Sequence, residues 1–294
     1  MSLKIACVGE AMIELAMSGN TAGVGVAGDT LNAAVYLTRA NPDLQVDYVT
    51  CLGDDPFSLQ IRDFIENQGI GCDNISMLPG RTPGLYAITT TPEGERSFTY
   101  WRETAAARSL FAGPGEPDFS VLAGYDVVYL SGITIAILPH PVRLALIDWL
   151  VQSDVRVVFD SNFRPRLWED TATARTITTL LWACADIALP SVDDEMDLFG
   201  ETHEEVRQRF AELGVRGALK QGADGPASLG EPVSQNYPPA RSVVDTTAAG
   251  DSFNGAYLGA VLAGATQADA LMAAHLCASE VVGIRGAITP GVQE

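Results

Sequence analysis

Lysine is almost missing from this chain. Of 18 basic residues only Lys4 and Lys220 are lysines, so arginine must carry nearly all positive recognition. The 37 acidic residues leave a net charge of −19. That balance argues against nucleic-acid and anionic-membrane partners, which need a cationic face. Any anionic ligand has to be caught by local features against the global field. Paired cysteines are missing too. Cys7, Cys51, Cys72, Cys184 and Cys277 are scattered, odd in number and never in C-x-x-C spacing, and read as buried free thiols in a reducing compartment. His140, His203 and His275 lie far apart, and no H-E-x-x-H or Cys/His cluster points to zinc. No apolar stretch approaches a membrane span. The start, MSLKIACVGEAMIEL, lacks a signal-peptide cleavage region and reads as a first strand. A cytoplasmic location is expected. No G-x-x-x-x-G-K-[ST] phosphate loop occurs. Gly23-Val-Gly25-Val-Ala-Gly28 matches G-x-G-x-x-G, but the first strand runs out near Gly9–Glu10, well before it. A dinucleotide site is therefore not expected.

What is present is a hydrophobic content of 47%, enough for a sizeable core in 294 residues. Apolar β-rich runs at 4–10, 46–52, 126–131, 155–160, 186–189 and 216–220 alternate with helical patterns at 30–40, 56–68, 140–152, 171–184, 202–213, 250–263 and 267–284. "DVVYLSG" and "RVVFDSN" are nearly continuous apolar runs ending in small or polar residues. They suit parallel strands buried on both faces, with functional loops at their C-terminal ends. The alternation predicts a doubly wound α/β sheet. One region breaks it. "GLYAITTT" (84–91) and "RSFTYWR" (96–102), joined by Pro92-Glu-Gly-Glu95, form a hairpin signal. With residues 12–27 they could build a small sheet outside the main one, acting as a lid or forming an ordinary sheet edge.

The stretch Asp245-Thr-Thr-Ala-Ala-Gly-Asp251 leads into a run of small and apolar residues that suits a closely packed helix. Free N–H groups at a helix start attract anions, and the small residues Ala248, Ala249 and Gly250 let a phosphate approach them. A carboxylate at Asp251 would repel phosphate in a site that only binds it. As a base taking a proton from an attacking hydroxyl it makes sense. Taken alone, Asp251 better suits an acid that complements the helix dipole.

The stretch resembles the D-T-x-G-A-G-D signature of the ribokinase-like (PfkB) sugar kinases, with Ala248 where that family usually has Gly. Ala27-Gly28-Asp29-Thr-Leu-Asn32 resembles the family's other signature, with Asp29 replacing a second Gly. Order and spacing fit across essentially the whole chain, from "CVGEAMIEL" to "RGAITP". The resemblance implies one kinase domain over residues 1–294. Its fold would be a three-layer α/β sandwich with a mostly parallel central sheet and a small β lid from about 12–27 and 82–104. It also implies Asp251 as catalytic base beside a cradle at Ala248, Ala249 and Gly250. Pro83-Gly-Leu-Tyr86, Glu95-Arg-Ser-Phe-Thr-Tyr-Trp-Arg102 and Phe159-Asp-Ser-Asn-Phe-Arg-Pro-Arg-Leu-Trp168 are similar to patterns of the 2-keto-3-deoxygluconate kinases within that family. This implies phosphorylation of a 2-keto-3-deoxy sugar acid at its terminal hydroxyl, with ATP and Mg²⁺. The acid's carboxylate calls for charge-assisted bonds, for which Arg102 and Arg164 are the candidates.

Tyr86 and Tyr100 would supply hydroxyls and walls, and Gly28, Asp29 and Asn32 would hold substrate hydroxyls. Glu14 stands where relatives carry an Asp. "ALKQGADG" resembles the family's nucleotide loop, making Lys220, Gly222 and Gly225 candidate ATP contacts, with Ala278 in an adenine slot. "LPSVDDEMDLFG" corresponds to the family's N-x-x-E region. Ser191 replaces the Asn, and Asp194 and Glu195 are the candidates for Mg²⁺ and its waters. A neutral-sugar kinase and a non-catalytic sugar-acid-binding regulator on the same fold remain as alternatives. The resemblance does not separate gluconate- from galactonate-derived acids. The exposed edge of a lid sheet leaves homo-oligomer pairing open.

Overall fold

Val8 closes the first strand, earlier than the apolar run suggested, because Gly9 and Glu10 turn the chain inward. In the computed structural model, which describes residues 2–90, 96–113 and 115–289, β1 (Lys4–Val8) lies near the middle of an eight-stranded sheet. It is flanked by β4 (Gln45–Leu52) and β8 (Val127–Ser131), both parallel to it. Beyond β4 comes β5 (Ile75–Met77), again parallel. Beyond β8 come β9 (Arg156–Asp160), β10 (Ile187–Ala188) and β11 (Arg216–Leu219), parallel throughout, and β12 (Ala227–Leu229), which closes the sheet antiparallel to β11. β8 is buried at every residue and β9 at all but Arg156. This is what their unbroken apolar runs require of strands covered on both faces.

Helices cover the two faces. Leu31 of α1 (Asp29–Ala40), Ile61 of α2 (Pro56–Asn67), Leu258 of α8 (Ala249–Leu262) and Leu271 of α9 (Gln267–Val281) belong to one buried cluster. Ala136 of α3 (Gly132–Ile137), Leu146 of α4 (His140–Gln152), Leu181 of α5 (Thr171–Cys184), Leu198 of α6 (Val192–Phe199) and Phe210 of α7 (His203–Leu213) belong to the other. The result is a three-layer sandwich. α3, α6, β5 and β12 are too short or too weakly patterned to stand out in the sequence. α9 ends at Val281 rather than 284 because the Val282 carbonyl turns to accept from Val244 and Asp245 N–H. Small residues let α1 and α8 pack closely. A Cβ on Gly255 would fall 2.4 Å from the Ala33 carbonyl oxygen, so α8 needs glycine there.

The region that broke the alternation is a second sheet, not an edge of the first. β2 (Met12–Ser18) pairs antiparallel with β3 (Thr21–Ala27) and parallel with β6 (Gly84–Thr90), which pairs antiparallel with β7 (Arg96–Trp101). The joining turn that the sequence placed at Pro92–Glu95 lies outside the described residues. Gly23–Gly28, the G-x-G-x-x-G match, runs through β3 of the small sheet and ends as α1 begins, whereas β1 is followed by another strand, β2.

Candidate active site

Sheet order reverses at β1, with β4 and β5 on one side and β8 to β12 on the other, and such switch points open a crevice at the C-terminal strand ends. Asp160 ends β9, Lys220 follows β11, and Glu10 lies just beyond β1. The starts of α1 and α8 meet the same crevice. Their close packing brings Asn32 to Asp251: Asn32 Nδ2 donates to Asp251 Oδ2 at 2.8 Å.

Ala248 caps α8 in the left-handed region, φ 60° and ψ 15°. The alanine therefore takes the conformation that a glycine adopts freely, at a steric cost of about 1–2 kcal/mol. Ala248, Asn162 and Phe111 are the non-glycine residues with positive φ among those described. Two of the three border this crevice, as functional strain often does. The turn corrects one expectation. Ala249 N–H donates to the Thr246 carbonyl at 3.2 Å, so it is already used within the loop. No protein acceptor takes the N–H groups of Ala248, Gly250 or Asp251 among the described residues. These remain to face an anion.

Asp251 stands among acids. Its pKa lies well above the ordinary carboxylate range, first through burial and then through the charge of Asp29, with Asp160 adding to it and Asn32 and Lys220 opposing. Asp29 is raised as well, again mainly by burial, and accepts from Asn162 Nδ2 at 2.8 Å. A carboxylate with a raised pKa is the stronger base once ionised.

The small sheet forms the opposite wall. Tyr86 on β6 lies directly across from Tyr100 on β7, with ring centroids 5.6 Å apart. Tyr86 is buried with Met12, Ala27 and Ala287, and Ala248 packs against this cluster, so the sheet rests on the α8 loop. Tyr86 donates to Glu14 on the neighbouring strand. Arg102, at the end of β7, forms an ion pair with Glu10, and both are almost fully buried. Its guanidinium carbon also lies 5.9 Å from the Tyr100 ring centre. Arg102 Nε and Glu10 Oε1 are buried without a protein partner.

Arg164 is placed differently. It is half exposed and pairs with Asp194 at 3.2 Å. No described contact joins it to the group around Arg102. The two neighbouring acids of the candidate magnesium region are also separated, which corrects the expectation for Glu195. Its carboxylate is fully buried and bonded to Arg209 of α7 at 2.8 Å, with its pKa raised to about 7 by burial. It anchors α6 to α7. Asp194, a fifth exposed, is left as the carboxylate of that region. No group of three or more His, Cys, Asp or Glu residues able to hold a metal occurs among the described residues. One carboxylate with open surface fits a hard cation that keeps most of its water.

Ser191 precedes α6, and its N–H donates to Ser161 Oγ at 3.0 Å. Gly222 and Gly225 have φ of 56° and 79°, and a Cβ on Gly225 would meet the Tyr237 ring at 2.4 Å, so this turn is built for glycine. Ala278 is half buried on α9 beside the core. Lys220 reaches Asp160 at 2.8 Å and Asn254 Oδ1 at 3.1 Å. Of the five free thiols, Cys7 and Cys51 are buried and the other three half-buried. Glu10, Asp160, Asn162 and Asn254 were not singled out from the sequence. Asp160 and Asn162 stand within the quoted "FDSNFRP" pattern, and that was their available signal.

A three-layer α/β fold with an acid at the start of a small-residue helix defines a class. The chain belongs to the pfkB family of carbohydrate kinases, whose profile matches residues 2–294. Among its relatives, the 2-dehydro-3-deoxygluconokinase of Dickeya dadantii is 43% identical over 97% of this chain and 96% of its own. The 2-dehydro-3-deoxygluconokinase of Escherichia coli K12 is 40% identical over 99% and 98%. The fold is that of the Vibrio cholerae fructokinase solved with fructose, ADP and a calcium ion, at a TM-score of 0.82 and 22% identity over 98% of this chain and 95% of that one. No helix among the described residues is long and apolar enough to cross a membrane.

Proposed function

We propose that this chain transfers the γ-phosphoryl group of ATP to the terminal hydroxyl of 2-dehydro-3-deoxy-D-gluconate, giving the 6-phosphate and ADP. Asp251 is the observation that carries the reading: a carboxylate held by Asn32, raised in pKa, beside free backbone N–H groups. In this mechanism Asp251 takes the proton of the attacking hydroxyl as the phosphoryl group arrives. The N–H groups of Ala248, Gly250 and Asp251, at the positive end of α8, meet the charge on the transferring oxygens. Asp29 and Asn32 at the start of α1, with the Gly28 backbone, hold substrate hydroxyls, and Tyr86 and Tyr100 wall the acid. Arg102 takes the carboxylate, with Arg164 as a second cation from the far side of the cleft. The small sheet acts as a lid that excludes water from the transfer. Gly222, Gly225, Ser191 and Ala278 border the nucleotide. Mg²⁺ held through Asp194 and water would neutralise charge on the ATP phosphates. The five unpaired thiols suit a reducing cytoplasm, where ATP is supplied.

The identity to two 2-dehydro-3-deoxygluconokinases and the buried Arg102 favour a sugar acid over a neutral sugar. ADP release with Mg²⁺-ATP across 2-keto-3-deoxy acids, fructose and ribose tests the reading. Turnover of the gluconate-derived acid at the highest kcat/KM is expected. Preference for fructose or ribose would overturn the substrate, and no turnover at all would leave a binding protein.

A further inference from the structure

Asn254 is fully buried, one helical turn beyond Asp251 on α8, and its whole side-chain amide is bonded. Its Nδ2 donates to Tyr129 OH at 3.0 Å and to Asp160 Oδ2 at 2.7 Å, and its Oδ1 accepts from Lys220 Nζ at 3.1 Å. Lys220 Nζ donates a second time, to Asp160 Oδ1 at 2.8 Å. Three strands thus converge on one residue of α8: β8 through Tyr129, β9 through Asp160, and β11 through Lys220. The Lys220 backbone is pinned as well, its N–H on the Pro190 carbonyl at 2.8 Å and its carbonyl under Val192 N–H at 2.9 Å. Its ammonium lies against the start of α8, since a Cβ on Gly250 would stand 3.7 Å from Nζ. The side chain is only 12% exposed.

We infer that Lys220, Asp160 and Asn254 are positioning residues for Asp251, and that the Lys220 ammonium serves this base rather than the nucleotide. The inference rests on Asp251 being the base of the proposed reaction. The bonded amide of Asn254 fixes the rotation of α8 about its axis, and residues three apart share a face, so it fixes the direction of Asp251. The charges matter equally. Asp251 is faced by Asp29 from α1, Asp160 from β9, Lys220 after β11, Tyr129 from β8 and Tyr86 from β6. Asp29 and Asp160 disfavour its ionisation, and Lys220 supplies the opposing positive charge. A cation committed to Asp160 and Asn254 keeps its distance from Asp251 constant whether or not nucleotide is bound. Asp160, in turn, prevents Lys220 from collapsing onto Asp251 as a direct ion pair that would quench the base.

The test uses the full chain and two substitutions, Lys220→Gln and Asp160→Asn. Each keeps a polar side chain and removes one charge. Loss of the Lys220 charge leaves Asp251 harder to ionise, so the ascending limb of kcat against pH moves alkaline, by about one unit. Loss of the Asp160 charge makes ionisation easier, and the limb moves acid. ADP affinity, measured by calorimetry at constant Mg²⁺, stays within about threefold of wild type in both. Shifts in opposite directions support the inference, because a purely structural loss would not split them. An unmoved limb in Lys220→Gln with ADP binding weakened tenfold or more overturns it and makes Lys220 a nucleotide contact. Shifts in the same direction overturn it too. If Lys220→Gln does not fold, Asp160→Asn decides alone: an acid shift supports the inference, and any other result overturns it. If no acceptor is phosphorylated, the functional reading fails separately. The same shifts are then read without turnover, from the carboxyl carbon resonance that disappears in Asp251→Asn.

Discussion

Asp251 and Arg102 stand on two walls of one cleft, and the chain holds them by opposite means. On the large-sheet wall, the groups behind Asp251 form a closed set: Asp160, Lys220, Asn254 and Tyr129 bond to one another across three strands and a helix. On the small-sheet wall, Arg102 hangs on one buried partner, Glu10, and each of the two leaves a buried polar atom without a protein partner. The neighbouring side chains differ in the same way. Tyr129, Asp160 and Asn254 are buried and Lys220 is 12% exposed, whereas Phe98, Tyr100 and Trp101 on β7 are exposed. A mutually bonded network fixes one geometry, which suits proton and phosphoryl transfer. A wall with one tether and open donors can accept a ligand of the right charge, which suits selection of a substrate.

The largest break should come from the closed side. Asp251→Asn removes the base and keeps the shape, so kcat is expected to fall by about 10²–10⁴-fold, while ADP and sugar-acid binding change little. Steady-state turnover with equilibrium binding on the same sample checks both halves. In the wild type, the raised pKa of Asp251 puts the ascending limb of kcat above the ordinary carboxylate range. Activity rises with pH because the ionised form is the base. A limb at the usual position for an aspartate would argue against Asp251 as that group.

Next in size is the tether. Glu10→Ala leaves Arg102 charged and unpaired in a buried place, and a loss of about 3–5 kcal/mol of stability is expected, read by chemical denaturation. Replacing both partners with apolar residues, Glu10→Leu with Arg102→Met, should restore most of that stability. It should not restore affinity for the acid. That split separates Arg102 as a structural ion from Arg102 as a ligand. In a background that keeps Glu10, Arg102→Ala with Arg164→Ala should raise KM for the sugar acid by about 10–100-fold, the worth of a lost charge-assisted bond. An unchanged KM would remove the carboxylate contact from the proposal.

The contrast between the walls also explains what the sequence could disclose. Parallel strands were legible because burial on both faces writes itself into local apolar runs, as in "DVVYLSG". The hairpin and the small-residue start of α8 were legible for the same local reason. Glu10 and Arg102 are 92 positions apart; a local pattern singled out Arg102, but nothing local marked Glu10 or paired the two. Glu195 looked like a metal ligand from its place beside Asp194. Consecutive helix residues point in different directions, and one of them met Arg209 instead. Asn254 reads as one more polar residue in a small-residue helix until the fold brings Tyr129, Asp160 and Lys220 around it. The cleft's end points were visible; the bonds that hold them required strand order.

The smallest expected effect concerns the residue that departs from the family pattern. Ala248 occupies φ 60°, where a Cβ costs about 1–2 kcal/mol. Ala248→Gly relieves that cost but gives the unfolded chain more freedom, worth about 0.4–1 kcal/mol. The difference leaves a net gain of about 0–1.6 kcal/mol, read by chemical denaturation. Because the backbone already takes the glycine-like geometry, its N–H direction should not change, and kcat should stay within about threefold of wild type. A tenfold rise in kcat would mean that the alanine methyl, rather than the backbone, limits how closely the phosphoryl group approaches α8.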